Sequence, residues 1–133
     1  MNNIVIKDGQ ATPADHTFTP YQPQQGSTPA VWYERSGASP LGWRRITLSV
    51  DTQVKGISKV RIVISDPVLA NLSQGCCVDQ NTPAVSYTDF ANIQFNLPYS
   101  ATDANRKDIL AYAKNILAHA TIVDAVVSLQ PAV

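Results

Sequence analysis

Between Arg44 and Ile64 the chain reads RRITLSVDTQVKGISKVRIVI, two runs of strict alternation joined by a short polar segment. In the first run Ile46, Leu48 and Val50 alternate with Arg45, Thr47, Ser49 and Asp51. In the second, Val60, Ile62 and Ile64 alternate with Lys59 and Arg61. A period of two sends successive side chains to opposite faces of a strand, so the stretch predicts two strands of a sheet with one dry and one open face. The open face carries Arg, Lys, Thr and Ser, which donate hydrogen bonds to phosphate, sugar and base edges. Any half-exposed antiparallel sheet shows the same alternation, and a plainly solvated face is the competing reading.

Charge placement favours the first reading. The 133-residue chain, the length of a single domain, has a formal net charge of zero. Five of its ten basic residues, Arg44, Arg45, Lys55, Lys59 and Arg61, nevertheless fall in one window of eighteen, against Asp51 alone. Such a patch acts within a Debye length even on a neutral protein. The N-terminus MNNIVIKDG lacks a basic region and apolar core of the secretory kind, and no run approaches a membrane span, so the expectation is a cytoplasmic product without a membrane partner. Cys76 and Cys77 are adjacent, which disfavours a bond between them, and neither His16 nor His119 has metal-ligand spacing to the pair. They are expected as free thiols or as bonds to another chain, and no metal or cofactor is expected.

Before the central strands, Ile4-Val5-Ile6, the Asp8-Gly9 turn signal and His16 to Thr19 predict a β-hairpin over 1–20. Residues 20–29, PYQPQQGSTP, read as a connector, and AVWYER from Ala30 as a short strand with Trp32 as a core or interface anchor rather than a base-stacking ring. Asp66-Pro67 is expected to end the second central strand, followed by a long loop from 67 to 88. The run FANIQFNL, Phe90 to Leu97, predicts another strand, with Ala91, Ile93, Phe95 and Leu97 on one face and Phe90, Asn92, Gln94 and Asn96 on the other. A sheet over 29–98 is thereby predicted.

Ser100 with Asp103 suggests a capping box for a helix running to about His119, with Ile109, Leu110, Ala113, Ile116 and Leu117 on one stripe. Thr121 is placed to cap a second helix over Ile122 to Leu129, so the helices span 101–130. Strands first and two helices last make an α+β chain. Two terminal helices must cover a broad apolar face, which a dimer exchanging helices across a shared sheet achieves. A Ser-His-Asp set, a catalytic carboxylate pair and a phosphate-cradling glycine loop are all missing, so an enzyme is not expected.

Four segments together resemble the coat proteins of the single-stranded RNA bacteriophages, the levivirus family. They are RRITLSV, KVRIVI followed by Asp66-Pro67, FANIQFNLPY, and the ending VDAVVSLQPAV, in this order and spacing. The resemblance covers nearly the whole chain. It implies an N-terminal hairpin, a five-stranded antiparallel sheet and two C-terminal helices, with two subunits intertwined in a homodimer that shares one continuous sheet. It further implies an icosahedral shell around single-stranded genomic RNA, a virion assembled in the bacterial host cytoplasm, and an RNA stem-loop bound on the inward sheet face that shuts off replicase translation.

By this resemblance the RNA face would use Arg45, Thr47 and Ser49, then Lys59 and Arg61, then Phe90, Asn92 and Gln94. Arg and Lys would hold phosphates, Thr47 and Ser49 would surround an unpaired base, and Phe90 or Asn92 would stack on or read another. Cys76 and Cys77 stand in the loop where some relatives crosslink neighbouring subunits, which makes them candidates for inter-subunit disulfides. The chain departs from the family at Asp51, where some relatives are basic or polar, at Phe90, where several have Tyr, and at Val63, where charge is common. The alternative is an RNA-binding homodimer of the same architecture that regulates translation without assembling.

Overall fold

A computed structural model describes residues 1–37, 39–70 and 83–132. Six strands form one antiparallel meander in which every sheet neighbour is also a chain neighbour: β1 (Ile4–Lys7), β2 (Asp15–Gln22), β3 (Ala30–Glu34), β4 (Arg44–Asp51), β5 (Ile57–Leu69) and β6 (Val85–Pro98). Two helices close the chain, α1 (Asp103–Leu117) and α2 (Ala120–Val127). The expected hairpin and five-stranded sheet share a strand. β2 pairs with β1 through Ile4↔Phe18 and with β3 through Thr19↔Tyr33, so the total is six strands in the predicted architecture.

Alternation locates the strands but sets their ends too tightly. β5 does not stop at Asp66-Pro67; it runs on to Leu69, with Pro67 opposite Thr88. The β4 side of the ladder ends at Arg45↔Ser65, so Pro67 lies where β5 has only β6 as a neighbour, and a strand with one free side tolerates a missing N–H. β6 likewise starts at Val85 rather than Phe90, because a backbone ladder needs no side-chain periodicity to continue. The long loop is correspondingly shorter. Cys76 and Cys77 lie outside the described residues. β2 also takes in Pro20 to Gln22 of the expected connector. From the remainder of that connector Gln24 reaches back to β4. Its Nε2 donates to Val50 O at 2.6 Å and its Oε1 accepts from Val50 N at 2.8 Å, so one side-chain amide stands in for a strand partner.

The helix caps also differ from expectation. Thr102, not Ser100, caps α1, its hydroxyl oxygen accepting from Asn105 N at 3.3 Å. His119 and not Thr121 caps α2, its Nδ1 accepting from Thr121 N at 3.3 Å. A residue beginning a helix needs extended backbone, and Thr102 (ψ 164°) and His119 (ψ 136°) supply it.

The core sits between the hairpin and the first strands of the sheet. Phe18, Ala30, Trp32 and Ile46 are buried together, with Ile4, Leu48, Ile62 and Ile64 packed against them. Trp32 is the anchor its size suggested, and its Nε1 donates to Asn2 O at 3.0 Å, tying the N-terminus down. Neither helix has a buried residue of its own. The stripe of α1 is exposed at Ile109, Leu110, Ile116 and Leu117, as are Val123, Val126 and Val127 of α2.

Candidate nucleic-acid interface

Strand register turns the predicted residues into a grid. Counting from β4 across β5 to β6, one row is Arg45, Ser65, Phe90; the next Thr47, Val63, Asn92; the next Ser49, Arg61, Gln94; the last Asp51, Lys59, Asn96. Alternation puts all four rows on the same side of the sheet, opposite Ile46, Leu48, Ile62 and Ile64. The eight residues proposed from the sequence therefore share one face. Phe90 is 62 % exposed on it. Arg61 Nη2 donates to Asn92 Oδ1 at 3.1 Å, and Gln94 Nε2 donates to Asn96 Oδ1 at 2.9 Å. With Oδ1 engaged, Asn92 presents its amide N–H groups outward as donors.

Three of the five clustered basic residues, Arg45, Lys59 and Arg61, lie on this face. Lys55 lies in the turn after β4. Arg44 faces the other way and builds a cluster that composition did not foretell. Its Nη1 meets Glu34 Oε2 at 2.9 Å and its Nε meets Asp66 Oδ1 at 2.8 Å. His16, brought in by β2, holds Glu34 Oε1 at 2.6 Å through Nδ1 and Asp8 Oδ2 at 3.2 Å through Nε2. Carboxylates only accept, so an imidazole between two of them satisfies both as the doubly protonated cation. The Glu34 hydrogen bond, with the Asp8 one behind it, holds the His16 pKa above its ordinary value. Burial pushes the Glu34 carboxyl up, but the bonds from Arg44 and His16 outweigh it and hold it low. Asp8 is held low first by the backbone N–H of Ala14 and then by His16. This cluster pins the hairpin to β3, β4 and β5.

The open face also holds residues that the sequence reading did not single out. A cavity of about 560 Å³ is lined by Tyr21, Val31, Tyr33 and Gln22 as well as Arg45, Thr47, Ser49 and Arg61. Tyr33 meets Tyr21 edge-on at 5.2 Å between ring centroids and Trp43 at 6.0 Å. The signal was the alternation of β3, in which Val31 and Tyr33 oppose Ala30, Trp32 and Glu34; it places Tyr33 on the face of its partner Arg45.

The family model for levivirus coat protein matches residues 1–132. The chain belongs to the levivirus coat protein family. It is 29 % identical over 130 residues to the capsid protein of Pseudomonas phage PRR1, a match spanning 93 % of this chain and 95 % of that one. Among solved structures, the virus-like particle of bacteriophage NT-214 is similar at 50 % identity and a TM-score of 0.95, covering 100 % of this chain and 98 % of that one. The virus-like particle of bacteriophage ESE058 follows at 32 % identity and 0.91, covering 100 % and 99 %. The levivirus coat protein described here is thus a capsid protein, a structural and non-enzymatic component of the virion.

Proposed function

We propose that two copies of this coat protein join along β6 into one continuous sheet, each laying its helices over the other's apolar face. Such dimers then close into an icosahedral shell around single-stranded RNA in the host cytoplasm. The open face turns inward, binds an RNA stem-loop and so represses translation of the replicase message. One observation carries this reading: both helices expose most of their apolar stripes and have no fully buried residue within their own chain. An apolar stripe of this size calls for a partner. The fourteen-residue β6 adds a second demand, since it is the last strand of the sheet and its outer edge has no neighbour among the described residues. A second copy answers both at once.

The RNA part rests on the grid of Arg45, Thr47, Ser49, Lys59, Arg61, Phe90, Asn92 and Gln94. Its cations suit phosphates and its hydroxyls, amides and ring suit unpaired bases. The test is expression of this protein alone in bacteria, followed by size-exclusion chromatography, electron microscopy and extraction of nuclease-protected RNA. Uniform RNA-filled spheres are expected. A clean dimer that never forms particles would refute the shell and leave a regulator; particles that protect no RNA would refute the assignment of the open face.

A further inference from the structure

The geometry points to Tyr33 as an RNA-contact residue, the central stacking platform of a single-stranded track that crosses the strands from Phe90 to Tyr21. This rests on the RNA reading of the open face and adds to it a stretch beyond the eight residues already assigned.

Depressions on the face include two that meet at Tyr33 and a third, beside Ser49, that contains Asp51. The cavity of about 560 Å³ contains Tyr21, Thr47, Ser49 and Arg61; a second, of about 290 Å³, contains Trp43, Pro67, Thr88 and Phe90. Among the described residues, only Tyr33 and Arg45 line both. They are also direct cross-strand partners, Tyr33 on β3 and Arg45 on β4, while Phe90 ends the same row on β6. Three strand spacings separate Tyr33 from Phe90, about 14 Å. A chain running between the two depressions therefore passes over one aromatic ring and one guanidinium, side by side.

That pairing fits single-stranded nucleic acid. Bases stack on rings whatever their identity, and a neighbouring cation takes the phosphate. The Tyr33 ring is held in place by its neighbours, since Tyr21 braces it edge-on at 5.2 Å and Trp43 lies beyond it at 6.0 Å. Among the described residues, those lining these two depressions include no carboxylate, while Arg45 lines both and Arg61 the larger. A rigid duplex cannot present unstacked bases to these rings, so the occupant is a single strand.

The experiment measures fluorescence anisotropy of the unassembled full chain with two probes, labelled oligo(A) of twelve nucleotides and a blunt RNA duplex of the same length. Tyr33→Ala is expected to weaken oligo(A) binding at least about fivefold, the lower end of base stacking on an aromatic side chain, and to leave the duplex within twofold. Tyr33→Phe, which keeps the ring, retains oligo(A) binding. Arg61→Ala weakens both probes. Should Tyr33→Ala fail to fold, photocrosslinking of the wild-type chain to an oligonucleotide carrying 5-iodouridine supplies the same test, with crosslinks expected at Tyr33 or Tyr21. Crosslinks confined to Phe90, or a Tyr33→Ala protein that binds oligo(A) as the wild type does, overturn the track while leaving the eight-residue face intact. A wild-type chain that binds neither probe overturns the face and the track together.

Discussion

Replacing Arg44 by Ala should cost about 2 kcal/mol of stability and change its pH dependence. The Glu34 side chain is only 9 % exposed and is held by Arg44 and His16 alone among the described residues. Stripping a buried ion of its partner costs about 3–5 kcal/mol. Arg44 is itself 37 % exposed, so water reaches one side of the pair, and His16 at 2.6 Å still holds the other carboxylate oxygen. Halving the lower figure and adding about 0.5 kcal/mol for the half-exposed Asp66 pair gives about 2 kcal/mol.

The pH signs separate the members of the cluster. His16 is raised above 6.5, so its contribution is complete below that value and disappears as pH rises through the folded pKa. Glu34 and Asp8 are lowered from 4.5 and 3.8, so theirs are complete above those values and disappear as pH falls through the folded ones. The stabilisation contributed by this cluster is therefore greatest between about pH 4.5 and 6.5. Without Arg44, His16 is the one cation left on Glu34, and the decline on the alkaline side becomes larger and shifts upward in pH. Urea titrations at fixed protein concentration from pH 4 to 9 measure both effects, and a loss of about 2 kcal/mol moves the midpoint by roughly 1 M. A variant within about 0.5 kcal/mol of wild type, or one with an unchanged pH profile, would show that the cluster does not hold the hairpin down.

Phe18 is 1 % exposed at the centre of the core, so Phe18→Ala should lose about 3–5 kcal/mol in the same titration; a loss under about 1 kcal/mol would mean that the hairpin does not form part of the core. Arg61→Ala should reduce the salt slope of RNA binding by about 0.7–0.9, one phosphate contact. Thr47→Ala should weaken binding to a hairpin with an unpaired base at unchanged slope, and the reverse pattern would exchange the two roles. Cys76 and Cys77 should give crosslinked multimers when assembled particles are run on non-reducing gels, whereas monomer alone would end the disulfide proposal.

Where a local rule governs, the sequence is readable. Alternation in RRITLSV, KVRIVI and FANIQFNL puts Arg45, Thr47, Ser49, Lys59, Arg61, Phe90, Asn92 and Gln94 on one face, because a period of two leaves no other assignment once the strands pair in register. Strand ends are not readable. Pro67 looks like a terminator, yet with β4 gone past Ser65 its missing N–H is tolerated. The choice of cap also escapes, since Ser100, Thr102, His119 and Thr121 all carry suitable acceptors and only backbone geometry selects among them. The ion cluster is hidden for a different reason. Asp8, His16, Glu34, Arg44 and Asp66 are far apart along the chain, and Arg44 reads as one more cation of the basic window until the register shows that it faces away from the others. Tyr33 escapes notice because β3 is short and its alternation, set beside Trp32, reads first as core.

The most direct test is a reconstruction of the assembled particle at side-chain resolution. The expected result is β6 paired antiparallel with β6 of a second copy, α1 and α2 lying over that copy's apolar face, and the Thr47 and Arg61 face turned toward the interior. Helices folded back onto their own sheet, or β6 edges left apart, would contradict it.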